Sequence, residues 1–315
     1  MGSVLIADPN SKAWKFAQII QEKLSSRGAN IPLFKVEITR FSDGESYAQI
    51  MKNVRRKGCY FIHDSSKSPN DWLVELMLVN DALKRASADF VVDILPYMKY
   101  SRQDRKDKSR VPISARVIAD SIGYRADKVM TTDLHADAIQ GFYNKPFDNL
   151  RSFATVVDYL KKNHPEFLEN SIVISPDAGG VARARAFAKR LNKDIAIIDK
   201  RREKAGEVSE MKIVGDVNGK NAIIVDDIID SGNTLIEAAK ALKKNGAKRV
   251  FACCTHAILS KNAVEMVPKH FDKILITDTI PHENLDGIEC VSLTDLYAEA
   301  IYRTDNGMSL SELFE

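Results

Sequence analysis

The chain has 315 residues, 44% hydrophobic and 28% charged, with 46 basic against 43 acidic side chains. That length predicts about two domains with ordinary apolar cores. A net charge of +3 argues against a general nucleic-acid surface, and no apolar run approaches the roughly 18 residues of a membrane span. The start, MGSVLIADPNSKAW, shows no basic stretch followed by a long apolar run, so no secretory leader is expected and the protein reads as cytoplasmic. Cys59, Cys253, Cys254 and Cys290 match neither zinc-site nor disulfide spacing and read as reduced core residues.

In chain order, SVLIAD is the first predicted strand. RFSDGESYAQI follows, with a β-turn expected at Asp43-Gly44; Phe41, beside Asp43 and Glu45, is an aromatic able to stack on a base. CYFIHD and DFVVDILPY read as strands around the helix DWLVELMLVNDALKRAS. The second strand runs into YSRQDRKDKSR, which packs Arg102, Arg105, Lys106, Lys108 and Arg110 among Asp104 and Asp107. A solvated charged loop explains such a run. It also stands where an α/β sheet places its ligand, and guanidinium forks suit phosphate. The helix ISARVIADSIG and the strand DKVMTTDLH come next. Asp133 and His135 end that strand, and such a pair is either a hydrogen-bonded loop or a metal site. A domain boundary is expected near Asn149 to Ser152.

The second half repeats the alternation. SIVISPD leads through Asp177, Gly179 and Gly180 into the helix VARARAFAKRL; glycines allow close backbone approach, and the acid suits magnesium. IAIIDK runs into Lys200, Arg201 and Arg202, cations suited to phosphate charge developing in a transition state. NAIIVDD ends in Asp226 and Asp227, and Asp230, Ser231, Gly232, Asn233 and Thr234 join it to the helix TLIEAAKALKKNGA, stopped by Gly246. Backbone N–H groups there can converge on a phosphate. The two acids would repel it, so they face sugar hydroxyls or a metal; a helix cap and turn is the plainer reading. RVFACCTH and KILITDT are the last predicted strands. Short apolar strands alternating with helices predict parallel α/β sheets.

Asp226-Asp227 with its loop resembles the PRPP-binding motif of the type I phosphoribosyltransferase fold. YSRQDRKDKSRVPISA, DLHADAIQGF, SPDAGGVARARAFAKRL, DKRRE and VGDVNGKNAIIVDDIIDSGNTL together resemble the class I ribose-phosphate pyrophosphokinases across nearly the whole chain. The resemblance implies two tandem phosphoribosyltransferase-like domains, each a mainly parallel sheet flanked by helices. They would span 1–149 and 150–303, with 304–315 joining the first. It implies transfer of the β,γ-diphosphoryl group of Mg-ATP to the 1-hydroxyl of ribose 5-phosphate, giving PRPP and AMP for nucleotide biosynthesis.

By the same resemblance, Arg102, Gln103, Asp107 and His135 bind ATP, with Phe41, Asp43 and Glu45 on a loop that reaches the adenine across a subunit contact. His135 and Asp177 are linked to Mg2+. Asp226 and Asp227 take ribose hydroxyls, Asp230 to Thr234 the 5-phosphate, and Lys200 and Arg202 belong to a catalytic loop. The partners implied are ATP and ribose 5-phosphate, with no nucleic acid and no membrane. A dimer-based homo-oligomer, up to a hexamer, is implied too. Phosphate or ADP would act as effector at a subunit contact near Arg55, Arg110 and Ser309 or Ser311, and Asn53 stands where many relatives carry serine. The phosphate loop departs from the family with Ser231 for Thr and Asn233 for Gly. Asparagine is the non-glycine residue best suited to positive φ, so binding is expected to survive. Two alternatives stand beside the active enzyme: a non-catalytic regulatory subunit and a phosphoribosyltransferase. The intact acid pair, His135, Asp177, Lys200 and Arg202 weigh against the first, and the long basic motif against the second.

Overall fold

The computed structural model describes residues 2–201, 210–283 and 285–314. They form two compact units: Met1–Arg151 with Thr279–Pro281 and Leu293–Glu315, and Ser152–Asp278 with His282–Ser292.

Unit 1 holds β1 (Ser3–Ala7), α1 (Ala13–Ser26), β2 (Leu33–Arg40), β3 (Ser46–Ile50), β4 (Gly58–Ile62), α2 (Pro69–Arg85), β5 (Phe90–Leu95), α3 (Ser114–Gly123), β6 (Lys128–Thr132) and β7 (Phe147–Leu150). Unit 2 holds α4 (Phe153–Asn163), a short α5 (Pro165–Leu168), β8 (Ser171–Ser175), α6 (Val181–Leu191), β9 (Ile195–Arg201), β10 (Glu210–Val214), β11 (Asn221–Ile229), α7 (Asn233–Lys244), β12 (Arg249–Ala257), a short α8 (Ala263–Met266), β13 (Lys273–Thr277) and β14 (Ile288–Val291). The last helix, α9 (Thr294–Asp305), packs with unit 1. The sheets have seven strands each, ordered β3-β2-β1-β4-β5-β6-β7 and β10-β9-β8-β11-β12-β13-β14. Only the β2/β3 and β9/β10 pairs are antiparallel. The two halves therefore share one topology, a repeat that the letters conceal.

The central strands are apolar throughout because both faces are covered. Along β1, Val4 and Ile6 pack in the layer of α2 and α3, while Leu5 and Ala7 pack in the layer of α1 and α9. The α2 helix starts where its sequence allows: Ser68 Oγ accepts the Asp71 N–H at 3.3 Å and Pro69 follows the cap.

All nine strands expected from sequence are present; β2, β3, β7, β10 and β14 were not foreseen. These lie toward the sheet edges, where burial is partial and the apolar run breaks, as in SYAQI of β3. The expected C-terminal extension of unit 1 at 304–315 is too short. It begins at Leu293, because Tyr297, Ala298 and Ile301 of α9 share an apolar core with Phe16, Ile20 and Leu24 of α1. Cys59, Cys253 and Cys254 are buried thiols, but Cys290 is exposed on the edge strand β14, a correction to the core reading.

Candidate active site

Ligand crevices of open α/β sheets lie where neighbouring crossovers leave a strand pair in opposite directions. In unit 2 that point is β8 beside β11. Asp226 and Asp227 stand there, near the carboxyl end of β11, one half-buried and the other buried. The Asp227 N–H donates to Asp226 Oδ1 at 2.9 Å. Arg183, in the first turn of α6, brings Nη1 to 3.1 Å from Asp227 Oδ1 and 3.6 Å from Asp226 Oδ1. Burial raises the Asp226 carboxyl well above the usual carboxylate range; the Asp227 charge adds to this and Arg183 opposes it. Sequence reasoning missed Arg183. Its signal was a basic residue in a helix's first turn, set against the helix dipole.

The loop after β11 reaches α7 through Asp230, Ser231 and Gly232. Gly232 has φ 76°, and a Cβ there would lie 2.2 Å from Val267 Cγ2, so only glycine fits. The cap residue of this 12-residue helix, Gly232, has no side chain to offer the amides of the first turn of α7. Asn233 is the first residue of α7 and is absent from the positive-φ residues. The expected strain belongs to Gly232 instead. Asn233 and Thr234 are exposed beside this N-terminus.

Asp177 lies in the turn after β8, exposed, with Oδ1 accepting the Gly180 N–H at 2.9 Å. Cβ atoms at Gly179 and Gly180 would come within 3.3 Å of Asp177 Oδ1 and 3.0 Å of Ser175 Oγ. The glycines thus let the turn fold tightly around its acid. The backbone of Lys200 lies in β9 opposite Met211. Arg202 lies outside the described residues.

In unit 1, the segments after β5 and β6 carry the basic and imidazole residues. Arg102, Asp107 and His135 are exposed, as are Arg105, Lys106, Lys108 and Arg110. Gln103 ties down α3: its carbonyl accepts the Ala115 N–H at 3.1 Å and its Oε1 accepts Ser114 Oγ–H. Asp137 carboxylate oxygens accept from Asn149 Nδ2 at 3.0 Å and Arg151 Nη2 at 2.9 Å, anchoring the stretch after His135. Tyr100, Arg110 and Asp133 hold φ of 63°, 63° and 40°. Non-glycine residues kept in this region are typical of functional segments. Phe41, Asp43 and Glu45 sit on the β2–β3 turn, closed by the Phe41 N–H on Glu45 O at 2.9 Å and the Glu45 N–H on Asp43 Oδ1 at 3.1 Å. Phe41 is 57% exposed, edge-on to Tyr47.

Among the described residues no group of three or more His, Cys, Asp or Glu side chains could cage a metal ion. Magnesium, however, keeps several waters and is commonly held by one or two carboxylates plus substrate phosphates. The exposed Asp177 carboxylate, with one oxygen turned to Gly180, fits such a role. Of the residues expected near an effector site, Asn53 Oδ1 accepts the Arg55 N–H at 2.9 Å, and Ser309 Oγ lies 2.9 Å from Ser311 Oγ.

Residues 8–124 match the family described as the N-terminal domain of ribose phosphate pyrophosphokinase, and residues 202–315 the phosphoribosyl synthetase-associated domain. The chain is 46% identical over 303 residues to the ribose-phosphate pyrophosphokinase of Campylobacter jejuni subsp. jejuni, covering 95% of this chain and 96% of that one. It is 44% identical over 296 residues to the enzyme of the same name from Neisseria meningitidis serogroup A, covering 91% and 89%. Among solved structures it resembles phosphoribosylpyrophosphate synthetase from Mycobacterium smegmatis, with TM-score 0.85 and 30% identity over 98% of this chain and 100% of that one.

Proposed function

The chain belongs to the ribose-phosphate pyrophosphokinase family, and we infer from this how its residues divide the reaction. It is a ribose-phosphate diphosphokinase. The oxygen at C1 of ribose 5-phosphate forms a bond to the β-phosphorus of ATP. The bond from that phosphorus to the bridging α,β-oxygen breaks. AMP leaves with the oxygen, PRPP is formed, and the 1-hydroxyl gives up its proton. A hemiacetal hydroxyl needs no strong base, so positioning and charge neutralisation supply most of the rate.

The observation that carries the assignment of the sugar side is the acid pair, one half-buried and one buried, followed by a glycine-capped helix N-terminus at the β8/β11 switch. Carboxylates are acceptors, so Asp226 and Asp227 take the ribose hydroxyls. Asp230 to Thr234 offer amides and hydroxyls to the 5-phosphate. On unit 1, Arg102, Gln103, Asp107 and His135 take ATP. Phe41, Asp43 and Glu45 serve the adenine of a neighbouring copy. Lys200 and Arg202 neutralise the transferred phosphoryl oxygens. Mg2+ carried on the polyphosphate, with Asp177 as an oxygen ligand and His135 linked to it, supplies charge neutralisation when bound.

Exposed Val74, Met77 and Leu78 form one stripe of α2, and Phe41, Tyr47 and Met51 are exposed on the β2–β3 hairpin. Apolar exposure of this kind supports a homo-oligomer built through unit 1. Phosphate or ADP acts as effector through Arg55, Arg110, Ser309 and Ser311, and the enzyme works in the cytoplasm. No described helix is long and apolar enough to cross a membrane.

Steady-state kinetics of Asp226→Ala and Asp227→Ala test the sugar assignment. The KM for ribose 5-phosphate should rise roughly 30-fold or more while that for ATP stays within about threefold, because only the sugar loses a partner. Equal increases for both substrates contradict it.

A further inference from the structure

Two adjacent acids beside a loop suited to an anion serve a sugar only if something holds them in place. Arg183 does not arrive there by default. It occupies the first turn of α6, the end of a helix that disfavours cations. Its Nη1 nonetheless lies within 3.6 Å of an oxygen of each acid, and its side chain is only 21% exposed. Its helix follows β8, the strand beside β11, so the arginine reaches the acid pair across the switch point.

We propose that Arg183 is a positioning residue for the sugar: one guanidinium, bridging Asp226 and Asp227, fixes their rotamers and so aims their remaining oxygens at the ribose hydroxyls. This rests on the reading of the acid pair as the sugar-binding acids. Arg183 touches the acids and neither phosphate nor reacting atom in this account. Arg183 opposes the rise that burial and Asp227 impose on the Asp226 carboxyl, and its contacts with both acids hold them in one geometry. A carboxyl that swings freely is a poor partner for a diol.

The test compares wild type with Arg183→Gln and Arg183→Lys, measuring KM for ribose 5-phosphate, KM for ATP, kcat and the melting temperature. Losing the cation that holds both acids in place should raise KM for ribose 5-phosphate roughly 30-fold or more in Arg183→Gln. The KM for ATP should stay within about threefold, with kcat less affected than KM. Arg183→Lys keeps the charge and loses the fork, so it should recover most of the lost affinity. A Gln variant with unchanged KM for the sugar overturns the proposal. So does a parallel loss for both substrates with a lowered melting temperature, or a Lys variant no better than Gln. A wild-type enzyme whose AMP output ignores ribose 5-phosphate would instead sink the functional reading, before any variant is compared.

Discussion

At the residue scale, the least expected side chain is Asp93, fully buried in the middle of β5. Asn80 Nδ2 donates to its Oδ2 at 2.9 Å, while Asp93 Oδ1 and Asn80 Oδ1 have no hydrogen-bond partner. A protonated Asp93 can satisfy both, and burial pushes its carboxyl up to about 8. The unfolded carboxyl loses its proton near 4, whereas the folded one keeps it to about 8. Between these values the folded state binds more protons, so this group's contribution to stability falls as pH rises and levels off above the folded value. Asp93→Asn supplies donor and acceptor at every pH. It should therefore exceed wild type by at least about 1 kcal/mol near pH 8, with the advantage shrinking toward about pH 4, in denaturant titrations. An advantage independent of pH would show that Asp93 is not the titrating group. Lys200 and Arg202 call for a kinetic test. If both act on charge developing during transfer, Lys200→Ala and Arg202→Ala each lower kcat by about 10²–10³, or roughly 3–4 kcal/mol, while directly measured ATP affinity changes less than about tenfold. A kcat within about threefold of wild type for both removes them from catalysis.

At the scale of elements, the loop between β11 and α7, proposed to hold the 5-phosphate, depends on its glycine. Gly232→Ala places a methyl 2.2 Å from Val267 Cγ2 and holds a Cβ at φ 76°. The conformation alone costs roughly 1–2 kcal/mol. A lower melting temperature and a raised KM for ribose 5-phosphate should follow; unchanged values for both would mean the loop tolerates another path. Asn233→Gly behaves differently from what the letters imply. Asn233 is helical, so glycine relieves no strain and costs about 0.5–1 kcal/mol of helix stability, visible as a small drop in melting temperature. Those two adjacent residues show where legibility ends. DSGNT announced a turn before a helix, but the left-handed residue depends on Val267, whose place beside the loop only the fold reveals. Likewise the central strands were readable because both faces are buried, whereas SYAQI of β3 and IECV of β14 carry no such run. The acid pair was legible at the end of its strand. The arginine that bridges it was not, because a side chain's reach across a switch point leaves no spacing in the sequence.

At the scale of the whole molecule, one topology appears twice and has diverged in use. Phe61 pairs with Ile6 and Ile224 with Ile174, the last bridges of the central strand pairs. Counting two and three residues on, His63 and Asp64 stand where Asp226 and Asp227 stand. His63 is buried, and burial lowers it to about 4; its neutral ring donates from Nε2 to Trp72 O at 2.9 Å. Asp64 accepts from the N–H groups of Lys12 at 3.0 Å and Ser66 at 2.8 Å, taking donors that an anion would otherwise use. Unit 1 thus turns its carboxylate to backbone N–H groups of its own, while unit 2 presents an acid pair and a helix that starts at a glycine. This chain forms PRPP by moving the outer two phosphates of ATP as one group. Incubation with Mg-ATP and ribose 5-phosphate, followed by separation of nucleotides, tests it most directly. AMP and PRPP should form in equal amounts, with negligible AMP when ribose 5-phosphate is left out. ADP as the nucleotide product, or no AMP with both substrates present, would contradict it.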